Sequence, residues 1–199
     1  MPDEIDYSRT AWGDESVRMH TDPPMYLLGA TVLSERNDAA MKALELLKPH
    51  GAKKLHWREL GAKSQQKALA IISGLDSTTT IISGTPLEKH KQERARRKCL
   101  ELLLTTLEGL GIDKLILESR EADLDKKDVD LLFYARQNMM ISNIDIAHVP
   151  GFGEPRLYVP DQILGAFGDV QASEVTARRW IQDWEKVKET ITEISVSVR

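Results

Sequence analysis

The stretch Thr10-Ala11-Trp12-Gly13-Asp14-Glu15-Ser16 has the composition of a strand that ends on two adjacent carboxylates. Its period of two places Trp12 and Asp14 on one face of that strand and Gly13 and Glu15 on the other. A carboxylate at a strand end, beside a glycine, is typical of a site for a hard metal ion. The alternative is that Asp14 caps the following turn through its own backbone.

Length and composition favour one globular domain over residues 1–199, with residues 1–6 as a flexible N-terminal tail. At 199 residues, with 41% hydrophobic and 29% charged residues, the chain can bury one sizeable core. Its single cysteine excludes an intrachain disulfide. Its first residues lack the basic start and apolar run typical of a signal peptide, and no later apolar run is long enough to span a bilayer. We therefore expect a cytoplasmic protein. The net charge of −4 leaves room for a local basic surface beside an acidic site.

Strand patterns alternate with helix patterns along the chain. The almost continuously apolar run Met25–Leu33 predicts a strand covered on both faces, paired with the first strand as a hairpin. Further strands are predicted at residues 78–83, 112–118, 143–149 and 194–198, with amphipathic helices between them. This order predicts an α/β domain in which helices flank a mixed central sheet.

Three later segments carry polar residues that could accompany Asp14. Residues 56–59 are His, Trp, Arg and Glu in succession, which is unusual for a plain connection and makes His56 and Glu59 candidates. The alternative is that Trp57 is a core residue whose polar neighbours are solvated. Glu118 ends a predicted strand, as Asp14 does. Asp161 falls in the first turn of a helix, where the helix dipole is a sufficient explanation for its presence.

The helix predicted after residue 86 is strongly basic in its first half. Cations near a helix N-terminus oppose the macrodipole, which makes a phosphate-facing role more attractive. The alternative is a solvated face that nearby acids partly offset. The predicted nucleic-acid contacts are Lys91, Arg94, Arg96, Arg97, Lys98 and, after the strand that follows, Arg120.

The order of four short motifs resembles the family catalogued as domain of unknown function 3800. The motifs are Gly-Asp-Glu-Ser at 13–16, Leu55-His56-Trp57-x-Glu59-Leu60, Ile116-Leu117-Glu118-x-Arg120 and Leu157-x-x-x-Asp161-x-x-x-Gly165-Ala166. The resemblance implies a ribonuclease-H-like, three-layer fold in which acids from the first strand, a later strand and a late helix meet around divalent metal. It carries over Asp14, Glu118 and Asp161 as metal ligands and catalytic residues, with His56 and Glu59 as further catalytic candidates and Glu15 as a further metal ligand. Glu118 departs from the Asp that is commoner in the family.

These observations predict a divalent-metal-dependent nuclease that hydrolyses phosphodiester bonds of DNA or RNA. Two Mg²⁺ or Mn²⁺ ions would activate a water and stabilise the developing charge, and His56 could shuttle a proton. Zinc is disfavoured because the candidate ligands are oxygens. The alternatives are a non-catalytic ribonuclease-H-like adaptor that binds nucleic acid or protein, and a phosphoesterase acting on a small nucleotide. Nucleic acid is the expected partner, a membrane is not, and a homo-oligomer is left open.

Overall fold

The computed structural model describes residues 5–173 and 175–198, and these residues build a six-stranded mixed sheet. The strands are β1 (Thr10–Arg18), β2 (Met25–Leu33), β3 (Ser77–Thr85), β4 (Lys114–Glu118), β5 (Asp145–Val149) and β6 (Ile191–Ser197), in the spatial order β5-β4-β1-β2-β3-β6. β1, β2 and β3 form an antiparallel meander, so the predicted hairpin is confirmed. β4 runs parallel to β1, β5 to β4 and β6 to β3.

Helices cover both faces of the sheet, which confirms the predicted α/β architecture with a mixed central sheet. In the described residues they are α1 (Asp38–Glu45), α2 (Ala62–Ile72), α3 (Gln92–Gly109), α4 (Ala122–Gln137), α5 (Tyr158–Gln171) and α6 (Ile181–Lys188). One core lies between the sheet and the layer of α1, α2, α5 and α6, and the other lies between the sheet and α3 with α4.

β1 alternates between the two cores as its sequence predicts. Trp12 is buried in the core beneath α5, and Ala11 is buried in the core beneath α3. The predicted end of this strand was wrong. β1 follows the 3-10 turn Tyr7–Arg9 and continues to Arg18, because it pairs with β2 from Ala11 onward. Asp14 therefore lies in the middle of β1 rather than at its end.

β4 places Glu118 beside Asp14. The parallel pairing of β4 with β1 stops at Gly13 and Leu117, one residue before each acid. Because side chains alternate along both strands, Asp14 and Glu118 project to the same face of the sheet, towards α5. Of these two acids, only Glu118 lies at the end of its strand.

The predicted N-terminal tail begins with residues 1–4, which lie outside the described residues. Asp6 belongs to the first turn, because its Oδ1 accepts a hydrogen bond from the Ser8 N–H at 3.1 Å. Among the helices that the structure describes, none is long and apolar enough to cross a bilayer.

Candidate metal centre at Asp14

Asp14 is half-buried and lies near two other acids. Its Oδ1 accepts a hydrogen bond from the Glu15 N–H at 2.7 Å, and within residues 5–173 and 175–198 no hydrogen bond reaches Oδ2. The pKa of Asp14 is raised well above its ordinary value, mainly by burial and then by the negative charges of Asp161 and Glu118. The hydrogen bond from the Glu15 N–H and the charge of Lys54 lower this pKa but do not cancel the rise. Since β1 continues past Asp14, this residue has no turn to cap.

Asp161 lies in the first turn of α5, as predicted, and uses its two oxygens differently. Oδ2 accepts hydrogen bonds from the Trp57 N–H at 2.8 Å and from Gln162 Nε2 at 2.7 Å. Oδ1 lies 3.5 Å from His56 Nδ1. One oxygen therefore fixes the segment around Trp57, and the other is presented towards His56.

Glu118 is bound by a lysine that the sequence did not single out. Lys54 Nζ donates to Glu118 Oε1 at 2.5 Å and also contacts Oε2. Gly151 lies against the same carboxylate, because a Cβ at that position would be 2.5 Å from Oε1. In the sequence, Lys53 and Lys54 look like two solvated lysines, and only their position just before the Leu55–Leu60 motif could have drawn attention to either.

The segment that carries His56 and Glu59 is anchored to α5 through Trp57. This tryptophan opens the 3-10 helix Trp57–Glu59 and is buried, while its indole Nε1 donates to Asp169 at 2.7 Å. The ring lies against Gly165, where a Cβ would be 2.1 Å from Trp57 Cγ. Trp57 is therefore a core residue, as the alternative proposed, and it also positions its polar neighbours beside Asp161.

Two cavities meet at Asp14. The larger, of about 420 Å³, is lined by Asp14, Asp161 and the His56–Glu59 segment, and the smaller, of about 230 Å³, is lined by Asp14, Glu118 and Lys54. Glu59 is exposed at the larger cavity, and His56 is partly exposed there. The predicted residues Asp14, Glu118, Asp161, His56 and Glu59 are thus brought to one region.

The donor atoms of this region suit a hard divalent cation at Asp14 and Asp161. Both offer a carboxylate oxygen that is not spent on a backbone N–H, and magnesium and manganese prefer oxygen ligands. Glu118 is less available because Lys54 holds both of its oxygens. Among the described residues, Asp14, Glu118 and Asp161 do not bring three ligand atoms within 4.8 Å of one another. The fit is therefore good for two of the three predicted ligands.

Glu15, the fourth predicted ligand, points to the opposite face of the sheet from Asp14. Its Oε2 accepts a hydrogen bond from Arg96 Nη1 at 2.5 Å and another from the Tyr26 hydroxyl. Arg96, predicted as a surface contact to nucleic acid, is buried, with a side chain only 5% exposed. The two residues form a partly buried ion pair with each other, so neither takes the position expected of it.

A second acidic group lies on that face around Asp128, which is buried on α4. Asp125, Asp128 and His148 place ligand atoms within 4.8 Å of one another and could by spacing hold a metal ion. Arg96 already donates to both Asp128 oxygens, at 3.0 and 2.7 Å, and Arg120 Nη2 donates to Asp128 Oδ1 at 3.2 Å. Burial tends to raise the pKa of Asp128, but hydrogen bonds from His148 and Arg96 and the charges of both arginines lower it to about 2. The guanidinium groups already neutralise this carboxylate, so a cation gains little there.

The other predicted basic contacts, Lys91 just before α3 and three residues on it, have varied surroundings. Lys91 pairs with an acid one turn earlier at 2.6 Å, and Lys98 donates to a backbone carbonyl at the end of β6 at 2.9 Å. Arg94 and Arg97 are exposed and line a cavity of about 460 Å³ between α3 and α4, where Arg97 lies over the Tyr134 ring, 5.4 Å from its centroid. The exposed basic surface is therefore narrower than the sequence pattern predicts.

No model of a known protein family matches the chain, and a search of curated proteins finds no significant match. The resemblance to the domain of unknown function 3800 stays a prediction. The function therefore has to be inferred from the site itself.

Proposed function

We propose that this chain is a divalent-metal-dependent nuclease with its catalytic centre at Asp14, Asp161 and Glu118. The observation that carries the proposal is that Asp14 lies where two cavities meet, one lined also by Asp161 and the other also by Glu118. In keeping with this placement, burial and the charges of Asp161 and Glu118 raise the pKa of Asp14. Acids held near one another at the edge of a cavity repel, and this arrangement gains stability when a cation binds between them. A divalent ion would supply an activated water and stabilise the charge that develops at the phosphorus.

The architecture supports the proposal. A mixed sheet lies between two helical layers, and the three acids come from the first strand, the end of a later strand and the start of a late helix. This is the layout that the resemblance to ribonuclease-H-like proteins implies. Both this layout of the acids and the ribonuclease-H-like assignment are part of the proposal.

The chain's own residues divide the chemistry between them. Asp14 and Asp161 would hold the cation, since each has an oxygen that accepts no backbone N–H among the described residues. His56, whose Nδ1 lies 3.5 Å from Asp161 Oδ1, is placed to move a proton at the larger cavity, since an imidazole ring can both accept and donate a proton. Arg58 is exposed at the same cavity, where its guanidinium could contact a phosphate of the nucleic acid, and Glu59 is exposed beside it as a further catalytic candidate.

One observation favours a non-catalytic nucleic-acid-binding protein as a second candidate. The Lys54 ammonium is bound to the Glu118 carboxylate, so the three acids do not form the compact ligand set that two metal ions require. In that case the α3–α4 cavity, with exposed Arg94 and Arg97, would be the main binding surface.

Cleavage assays separate the two candidates. Labelled single-stranded DNA, RNA, duplex DNA and RNA–DNA hybrid are incubated with the full chain in Mg²⁺, Mn²⁺ or chelator. The nuclease proposal expects metal-dependent cleavage of at least one substrate, loss of cleavage in Asp14→Asn, and no loss in Asp123→Asn, which changes an exposed acid of α4. Binding without cleavage in any metal, with equal behaviour of both variants, would support the binding protein instead.

A further inference from the structure

We infer that Lys54 takes the place of a second metal ion, so that the centre binds one divalent cation rather than two. This inference rests on the proposed function and concerns the metal stoichiometry of the same site. It starts from the contact of Lys54 Nζ with both carboxylate oxygens of Glu118, which leaves that side chain no oxygen without a cationic partner.

The surroundings favour a persistent pair. The Lys54 and Glu118 side chains are 24% and 27% exposed, so solvent screens their attraction less than it screens a surface pair. Glu118 is the last residue of β4, and Gly151 closes one side of its carboxylate. The carboxylate therefore has little room to turn away from the ammonium group.

The charges of the site agree with a single divalent ion. Asp14, Asp161 and Glu118 carry three negative charges when ionised, and one divalent ion together with the Lys54 ammonium carries three positive charges. A second divalent ion would bring two further positive charges next to Lys54 in a partly buried site, where like charges repel strongly. Glu15 does not compensate them, because it is paired with Arg96.

This position also gives Lys54 a catalytic role. Lys54 lines the smaller cavity together with Glu118 and Ser119, so a phosphate that enters this cavity would meet the ammonium of the Lys54–Glu118 pair. A pre-positioned cation stabilises negative charge that develops on a phosphoryl oxygen, as a second metal ion does elsewhere. Lys54 thus supplies charge without the coordination geometry of a metal.

Counting bound Mn²⁺ tests the inference without any activity assay. The full-length chain is titrated with Mn²⁺ at neutral pH, and the free ion is measured by electron paramagnetic resonance. We expect one bound ion in the parent and two in Lys54→Met, because that variant releases Glu118 as a ligand. Lys53→Met is the matched control: its lysine is adjacent and exposed, so it should bind one ion, as the parent does.

Each other outcome is decisive. Two ions in the parent, or one in Lys54→Met, would overturn the inference and leave the nuclease proposal standing. No bound ion in the parent would remove the proposed metal centre itself. Should Lys54→Met fail to fold by circular dichroism, Lys54→Gln is counted in the same way: the inference expects two bound ions, and one bound ion would refute it.

Discussion

Gly165→Ala should displace Trp57 and destabilise the fold, because α5 has no room for a methyl group at this position. The new Cβ would lie 2.1 Å from Trp57 Cγ, whereas carbon atoms need a separation of about 3.5 Å, so the ring has to move by about 1.4 Å or more. Such a shift breaks two hydrogen bonds to carboxylates, from the Trp57 N–H to Asp161 and from Nε1 to Asp169.

The size of the effect follows from these interactions. A hydrogen bond to a charged group contributes about 1.5–3 kcal/mol, and overpacking a core costs about 1–3 kcal/mol. Because these effects share one side chain and do not add fully, we expect the free energy of unfolding to fall by about 3–5 kcal/mol.

Urea denaturation, followed by tryptophan fluorescence and circular dichroism, measures this change. Gly109→Ala is the control: Gly109 is also helical, but its added methyl group meets nothing within 4 Å, so it should leave stability unchanged or raise it by about 0.5–1 kcal/mol. If Gly165→Ala is as stable as Gly109→Ala, then contact with α5 and the hydrogen bonds to Asp161 and Asp169 do not fix the position of Trp57.

Three further predictions concern charge. In chelator, Asp14→Asn should melt no lower than the parent. Folding raises the pKa of Asp14 above 3.8, so the ionisation of Asp14 destabilises the fold as pH rises through that raised pKa. Mn²⁺ at a hundredfold excess over its Kd should stabilise the parent by about 2.7 kcal/mol and the variant by much less. Asp128→Asn should cost about 3–5 kcal/mol at neutral pH, since it leaves Arg96 without its buried partner, whereas exposed Asp130→Asn should cost little. Because the pKa of Asp128 is about 2, its contribution is complete above about pH 4 and should disappear as pH falls towards 2 in urea titrations. Arg94→Gln with Arg97→Gln should reduce the salt dependence of nucleic-acid binding, by a slope of about 0.7–0.9 for each phosphate that the variant no longer binds, and an unchanged slope relative to Lys186→Gln with Lys188→Gln would show that this surface is only solvated.

Periodicity predicted the fold well because it records which faces are buried. Met25–Leu33 is almost continuously apolar because α5 covers one face of β2 and α3 covers the other, and the alternation of Ala11 with Trp12 reflects the two cores. The end of β1 could not be predicted in this way. It depends on pairing with β2 up to Arg18, and polar residues such as Asp14 and Glu15 do not interrupt that pairing.

The candidate site was only partly predictable, because ion pairing is not periodic. Asp14, Glu118 and Asp161 were found as acids at the ends of elements or beside glycine. Lys54 and Asp128 were missed, since a partner 64 residues away in the case of Lys54, or 32 in the case of Asp128, leaves no local pattern. For the same reason Arg96 looked like a surface cation, although Asp128 and Glu15 hold it in the interior.

Anomalous diffraction from a crystal soaked in Mn²⁺ tests most directly whether Asp14 and Asp161 hold a divalent cation. We expect an anomalous peak within about 2.0–2.6 Å of one oxygen from each of these two carboxylates. A crystal with no peak there, or with its manganese at Asp125, Asp128 and His148 instead, would contradict the proposed metal centre.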